Sequence, residues 1–366
     1  VEATAHLTGR IIADAEHTYP EAWIVGGQVT FERPRGRIDV PTLHGFAFPG
    51  LVDMHCHIGV SASGAVTREV ARAQAVRNRD AGVLLIRDAG SVDDTAWVDE
   101  EPALPRLVRA GRFLARPKRY LPGLAREVEP PQLAVAAAEE ARRGSGWVKL
   151  IADWIDRAAG SESDLAPLWD TEVLRAACER VHAAGARATA HTFATEAMDG
   201  LLDAGIDCIE HGTGMTGAHM ERAAASGIPV VPTLLQVGNF ETFAAQGEQK
   251  FPRYAARMRD MHQRRYTHVR AMWEAGVQIF LGTDAGSTIG HGMIAAEAEE
   301  LVRAHIPAPD VVAAATWRAR EFLGVESLGE GASADVVIFD EDPRVDIRAL
   351  SHPRAVILRG TVRDVR

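Results

Sequence analysis

Phe48-Pro49-Gly50-Leu51-Val52-Asp53-Met54-His55-Cys56-His57 is an apolar run that ends in two histidines one residue apart. Residues two apart on a strand point to the same face, so His55 and His57 project together and can share one ion, while Cys56 faces away. Further runs of this kind follow at 83–87, 112–115, 148–151, 187–190, 206–210, 230–233 and 278–282. Most are continuously hydrophobic, as parallel strands covered on both sides are. Helical periods separate them. Residues 131–143 carry alanines and leucine at helical spacing and stop at Gly144, and 171–184 stop at Gly185. Eight strand–helix alternations predict an α/β chain folded as a (β/α)8 TIM barrel over residues 49–327.

The flanks read differently. Gly26-Gly27 separates strand-like 22–25 from 28–31, 334–340 is an apolar strand, and Arg359-Gly360 joins 355–358 to 361–365. Residues 1–48 and 328–366 are therefore expected to form one small β-sandwich domain built from both chain ends. The segment 234–276 is longer than a crossover needs and predicts extra helices, a candidate lid.

A chain of 366 residues, 46% hydrophobic and 25% charged, has the composition of a soluble globular protein. A net charge of −10 without a Lys/Arg block argues against nucleic acid as a partner. No run reaches the ~18 apolar residues of a membrane span. Residues 1–10 lack a basic start followed by an apolar run, so no signal peptide is expected. Cys56, Cys178 and Cys208 have no paired spacing, which argues against a disulfide framework and fits a reducing cytoplasm. The expected partner is a small-molecule substrate, and a homo-oligomer stays open.

The chemistry lies at the ends of the apolar runs. His191 follows 187–190, His211 follows Cys208-Ile209-Glu210, and Asp284 follows Ile279-Phe280-Leu281-Gly282-Thr283. Each sits at the C-terminal end of a predicted strand, the face on which barrel sites are built. Four imidazoles and a carboxylate suit zinc or a similar first-row ion. Lys149 lies inside Trp147-Val148-Lys149-Leu150-Ile151 and would be buried. Desolvation and nearby ions depress its pKa and free a neutral amine, which can add carbon dioxide to give a metal-bridging carbamate. Further candidates are Arg87 and Asp88 as supports, Tyr120 as a donor to a carbonyl oxygen, Trp154 and Arg157 as pocket residues, His291 as pocket lining or ligand support, and Gln236 and Asn239 at the rim.

The order His-X-His, Lys, His, His, Asp resembles the binuclear branch of the amidohydrolase superfamily, with its prolidase-like and imidazolonepropionase-like members. Ile86-Arg87-Asp88-Ala89-Gly90, Gly205-Ile206-Asp207-Cys208-Ile209-Glu210-His211-Gly212 and Gly282-Thr283-Asp284-Ala285-Gly286 are similar to segments of that branch. The tail Gly331-Ala332-Ser333-Ala334-Asp335-Val336-Val337 resembles its return into a small β-domain. The resemblance implies two divalent ions, one on His55, His57 and Asp284 and one on His191 and His211, bridged by carbamylated Lys149. It also implies a shared hydroxide that attacks a carbonyl, with Asp284 passing the proton to the leaving group. The expected reaction is cleavage of an amide in a peptide-like or N-acyl substrate. A lactone, ester or carbamate could be opened at the same centre. A mononuclear deaminase would carry an acid three residues after a metal histidine, where Ala194 and Gly214 stand here. A non-enzymatic scaffold would have lost ligands, and all six positions are filled. Ile151-Ala152-Asp153-Trp154 departs from the Gly/Ser-rich appearance of prolidase-like relatives, which points away from dipeptides.

Overall fold

The structure, a computed structural model, describes residues 3–35 and 39–364. Residues 1–2, 36–38 and 365–366 of the expected end domain therefore lie outside the described residues.

The apolar runs pair in parallel. Leu51–Cys56 pairs with Val83–Asp88, and Val83–Asp88 with Arg106–Arg109. Leu114–Ala115 pairs with Trp147–Ile151, which is followed in order by Arg187–Thr192, Cys208–His211 and Val230–Val231. Every residue of Leu51–Cys56, Val83–Asp88, Trp147–Ile151 and Cys208–His211 is buried, which is why these segments read as largely apolar runs interrupted only by a few polar residues.

Two of the expected strands differ from the sequence reading. The third is split: Arg106–Arg109 pairs with the second strand and Leu114–Ala115 with the fourth. Gly111, at φ +70°, turns the chain between the two pieces. The eighth, 278–282, is an irregular segment tied on both sides rather than a regular ladder. Val230 N donates to Gln278 O at 2.9 Å and Phe280 N to Val230 O at 3.1 Å. Met54 N donates to Leu281 O at 2.8 Å and Asp284 N to His55 O at 2.7 Å. Hydrogen bonding thus runs from the first segment to the front half of the third, from its back half to the eighth, and from the eighth back to the first.

The helices pack outside these strands. Thr171–Ala183 buries Leu174, Ala177, Cys178 and Val181. Leu133–Arg143 follows a short 3-10 turn at Pro130–Gln132 and is capped at Gly144. The long segment before the eighth strand is helical, as expected, with Leu234–Gly238, Phe240–Gly247 and Pro252–Glu274. Among the described residues no helix is long and apolar enough to cross a membrane.

Both chain ends enter one seven-stranded sheet. Thr42–Pro49 lies at its middle, parallel to Ala3–Ile12 on one side and antiparallel to Val336–Phe339 on the other. Val29 N donates to Ala332 O at 2.9 Å and Ala334 N to Gly27 O at 2.9 Å, so the edge strand Gln28–Thr30 curls back toward the C-terminal segment. The curl encloses Leu7, Ile11, Ile24, Val336, Ile338 and Ile357 in a core of their own. Arg106 ties this sheet to the strand–helix body through Asp335, at 2.8 Å.

Candidate active site

His55, His57, Lys149, His191, His211 and Asp284 all come together at the C-terminal ends of the parallel strands. His55 Nε2, His57 Nε2 and Asp284 Oδ1 form a triangle with each side 3.2 Å. Lys149 Nζ is 3.3 Å from His55 Nε2, and His191 Nδ1 is 3.0 Å from His211 Nε2. Donor atoms of His55, His211 and Asp284 lie within 4.8 Å of one another and could hold a metal ion.

The rings are fixed from behind. His57 Nδ1 faces Gly90 O at 2.7 Å, His211 Nδ1 faces Thr233 Oγ1 at 2.6 Å, and His55 Nδ1 lies 2.9 Å from Glu210 Oε2. Such rear partners select the tautomer that leaves Nε2 free for an ion. The triangle also fits an ion by size, since ligands about 2.0–2.1 Å from zinc in a tetrahedron lie about 3.3 Å apart. His191 Nε2 is buried without a hydrogen-bond partner among the described residues.

Electrostatics separate the roles. Burial depresses the pKa of Lys149, favouring its neutral amine. Burial likewise holds His191 well below the ordinary histidine value, helped by His211, and brings His211 down to about 3. Burial opposes the charged form of His55 as well, but Asp284 and Glu210 outweigh it and raise that ring. Asp284 would be raised by burial, yet His55, His57 and His211 hold it far below the usual carboxylate range. His191 and His211 are therefore neutral nitrogen donors, and the balance at Lys149 shifts toward its neutral amine, around a carboxylate that stays ionised.

Backbone strain marks the same place. His211, Thr233 and Asp284 have φ of +65°, +46° and +55°. Left-handed backbone at non-glycine residues costs about 1–3 kcal/mol each and persists only where the surroundings impose it. At Asp284 the imposing contacts come from Asp53, whose carboxylate accepts from Thr283 N at 3.0 Å and Thr283 Oγ1 at 2.6 Å. Gly282 completes the approach: a Cβ there would lie 2.4 Å from Val231 Cγ1 and 2.7 Å from His55 Cβ. Gly282→Ala is expected to destabilise the fold by about 1–3 kcal/mol through this overlap, read as a lower urea midpoint at unchanged slope.

Above the cluster opens a cavity of about 360 Å³. Its walls are aromatic: Phe113, Tyr120, Trp154, Phe193, Phe243 and Tyr254. The helical segment 234–276 supplies one side, through Gln236, Phe243, Gln246 and Tyr254. Tyr120, Trp154 and Arg157 line the cavity as the sequence suggested, with Tyr120 packed edge-on against Phe113, Trp154 and His191.

His291 does not line this cavity. It lies behind the first strand, with Nδ1 3.2 Å from Asn78 Nδ2 and 3.6 Å from Cys56 Sγ. It therefore faces the side of the strand to which Cys56 points, away from the imidazoles. Asp153 is also turned away from the cavity, and its Oδ2 accepts from Phe193 N and Ala194 N at 2.8 and 2.9 Å. Asn239 reaches the rim only through Gln236 and Thr288.

The residue that sequence reasoning missed is Glu210. Its carboxylate is fully buried and accepts from Arg87 and from Thr189 while facing His55. The signal was present, because a glutamate in the middle of Cys208-Ile209-Glu210-His211 breaks an apolar strand just as Lys149 does. Arg87, proposed as a support, also donates to Met54 O at 2.6 Å and stacks 4.7 Å over Trp147.

Residues 46–363 match the model of the amidohydrolase family. This chain belongs to the amidohydrolase family. An uncharacterized protein of Mycobacterium tuberculosis is 49% identical to it over 356 residues, covering 97% of this chain and 94% of that one. A Xaa-Pro dipeptidase crystallised with methionine in its active site shares the fold of this amidohydrolase, with a TM-score of 0.83 at 21% identity over 98% of this chain and 99% of that one. Ochratoxinase of A. niger is similar, with a TM-score of 0.79 at 19% identity over 100% and 96% of the two chains. Membership of this family supports a hydrolytic enzyme.

Proposed function

We propose that the eight-segment circuit is a (β/α)8 barrel and that its C-terminal face is a metal-dependent hydrolase acting on an amide bond in a peptide-like or N-acyl substrate. The observation that carries this reading is the 3.2 Å triangle of His55, His57 and Asp284 beneath an aromatic cavity, with the buried Lys149 amine 3.3 Å from His55.

His55, His57 and Asp284 would hold one ion and His191 and His211 a second, with Lys149 between them. Zinc suits this nitrogen-rich donor set. The neutral Lys149 amine would add carbon dioxide through its lone pair and lose one proton, which forms an N–C bond and turns the amine into a carbamate anion with two oxygens. When bound, a pair of divalent ions supplies acidity to a water and polarisation to the scissile carbonyl.

The chain's own groups do the rest. Asp284 stays ionised at the cavity floor and takes a proton on its carboxylate, then returns it to the leaving nitrogen. The Tyr120 hydroxyl has no partner among the described residues and faces the cavity, so it can donate to the carbonyl oxygen. The aromatic walls orient the acyl group and exclude bulk water.

Elemental analysis with bicarbonate supplied tests the reading, run on the parent and on Lys149→Ala. About two metals per chain are expected in the parent, falling to one or none in the variant. Turnover of N-acyl amides should accompany the loaded parent. One metal per chain, indifferent to the loss of Lys149, would remove the bridging role. Turnover confined to lactones or esters would replace the amide assignment.

A further inference from the structure

We infer that Arg157 anchors a carboxylate of the substrate at the cavity mouth, so that the preferred substrate is an aromatic amide carrying a carboxylate and no ammonium group. This rests on the amide-hydrolase reading above.

The charge distribution around the cavity leads to it. Among the lining residues only Asp284 and Arg157 carry a formal charge apart from the histidines. Asp284 is spent in the triangle on the floor. Arg157 is exposed, at the start of the 3-10 turn Arg157–Glu162 that joins the small hairpin strands Asp153–Ile155 and Leu165–Pro167.

Asp153 is turned away from the cavity, and the other carboxylates around this turn already have a cation. Asp156 is paired with Arg119 at 3.6 Å, and Glu162 with Arg253 at 3.7 Å. Asp164 is paired with Arg257 at 3.2 Å, and Glu196 is also held by Arg257, at 2.5 Å. Arg157 has no ionic or hydrogen-bond partner among the described residues. The mouth therefore offers one uncommitted guanidinium and no uncommitted acid.

A guanidinium binds a carboxylate through two parallel hydrogen bonds. An ammonium group, by contrast, would enter an aromatic cavity without a counter-charge and lose its hydration. Both arguments disfavour a zwitterionic dipeptide and favour an N-acylated amino acid, whose nitrogen is uncharged. The aromatic walls then take the acyl group.

The test compares three probes on the metal-loaded protein by benzoate or phenylalanine release: N-benzoylphenylalanine, its C-terminal primary amide, and phenylalanylphenylalanine. The acid should exceed both others in kcat/KM by tenfold or more. Arg157→Gln should raise KM for the acid roughly 10- to 100-fold, and at least tenfold more than for the primary amide, with the effect in KM rather than kcat. Equal kcat/KM for acid and primary amide in the parent, or an equal loss of both in the variant, would overturn the anchor.

Equilibrium binding of 3-phenylpropionate against 3-phenylpropionamide reads the anchor without turnover. If the parent cleaves no amide but still binds the acid at least tenfold more tightly, and Arg157→Gln abolishes that margin, the amide reading fails and the anchor stands. If the two ligands bind alike, the anchor fails whatever the turnover shows.

Discussion

Asparagine in place of Asp284 is expected to lower kcat about 100- to 10,000-fold, the range for removing a positioned acid–base group. The side chain keeps its size and one oxygen. Asparagine also tolerates the left-handed backbone, at φ +55°, better than most residues, so the fold should survive. What disappears is an ionised carboxylate 3.2 Å from both His55 and His57, kept charged at neutral pH by the surrounding imidazoles. Metal content measured on the same preparation separates a lost proton carrier from a lost ligand. A fully loaded variant that keeps more than a tenth of parental kcat would remove Asp284 from proton transfer.

The second large effect concerns stability. Arg87→Met should destabilise the protein by about 3–5 kcal/mol, because it leaves the Glu210 carboxylate buried without its cation. Burial alone would push the Glu210 pKa upward, and Arg87 and His55 together reverse this and hold it well below the usual carboxylate range. Arg87 and Glu210 side chains are both fully buried, so solvent screens neither. The double variant Arg87→Met/Glu210→Leu should recover a good part of the loss, since replacing a whole buried pair is far cheaper than breaking it. Urea melts of the parent, both single variants and the double variant measure this. A single-variant loss under about 1 kcal/mol would show that the pair contributes little.

The first, fourth, fifth and sixth strands and their chemistry were legible because burial on both faces forces continuous apolar residues. A polar residue such as His191 or Lys149 then stands out as an exception that needs a cause. The split third strand was not legible in the same way, because its break depends on the left-handed turn at Gly111 and on which neighbour each half meets. The eighth segment has strand-like residues, yet Asp53 and Gly282 hold it in an irregular path that no periodicity records. His291 was misplaced because proximity to Asp284 along the chain does not say on which side of the first strand the ring lies. The aromatic cavity walls come from loops and from the 234–276 helices, where no spacing rule marks Phe113, Phe193 or Phe243 as facing the same space.

The seven-stranded sheet has a bearing on how the chain reaches this state. Thr42–Pro49 is its central strand and needs Val336–Phe339 to cover its second edge. During synthesis that edge is bare until the whole strand–helix body has emerged from the ribosome. An unpaired edge of this kind recruits other chains as readily as its own. Pairings so distant along the sequence also form late, because the loop they close is long. The N-terminal hairpin therefore spends synthesis as an exposed template. Truncation shortly before Val336 should yield a protein that aggregates through its N-terminal strands, even with every residue of the metal cluster present.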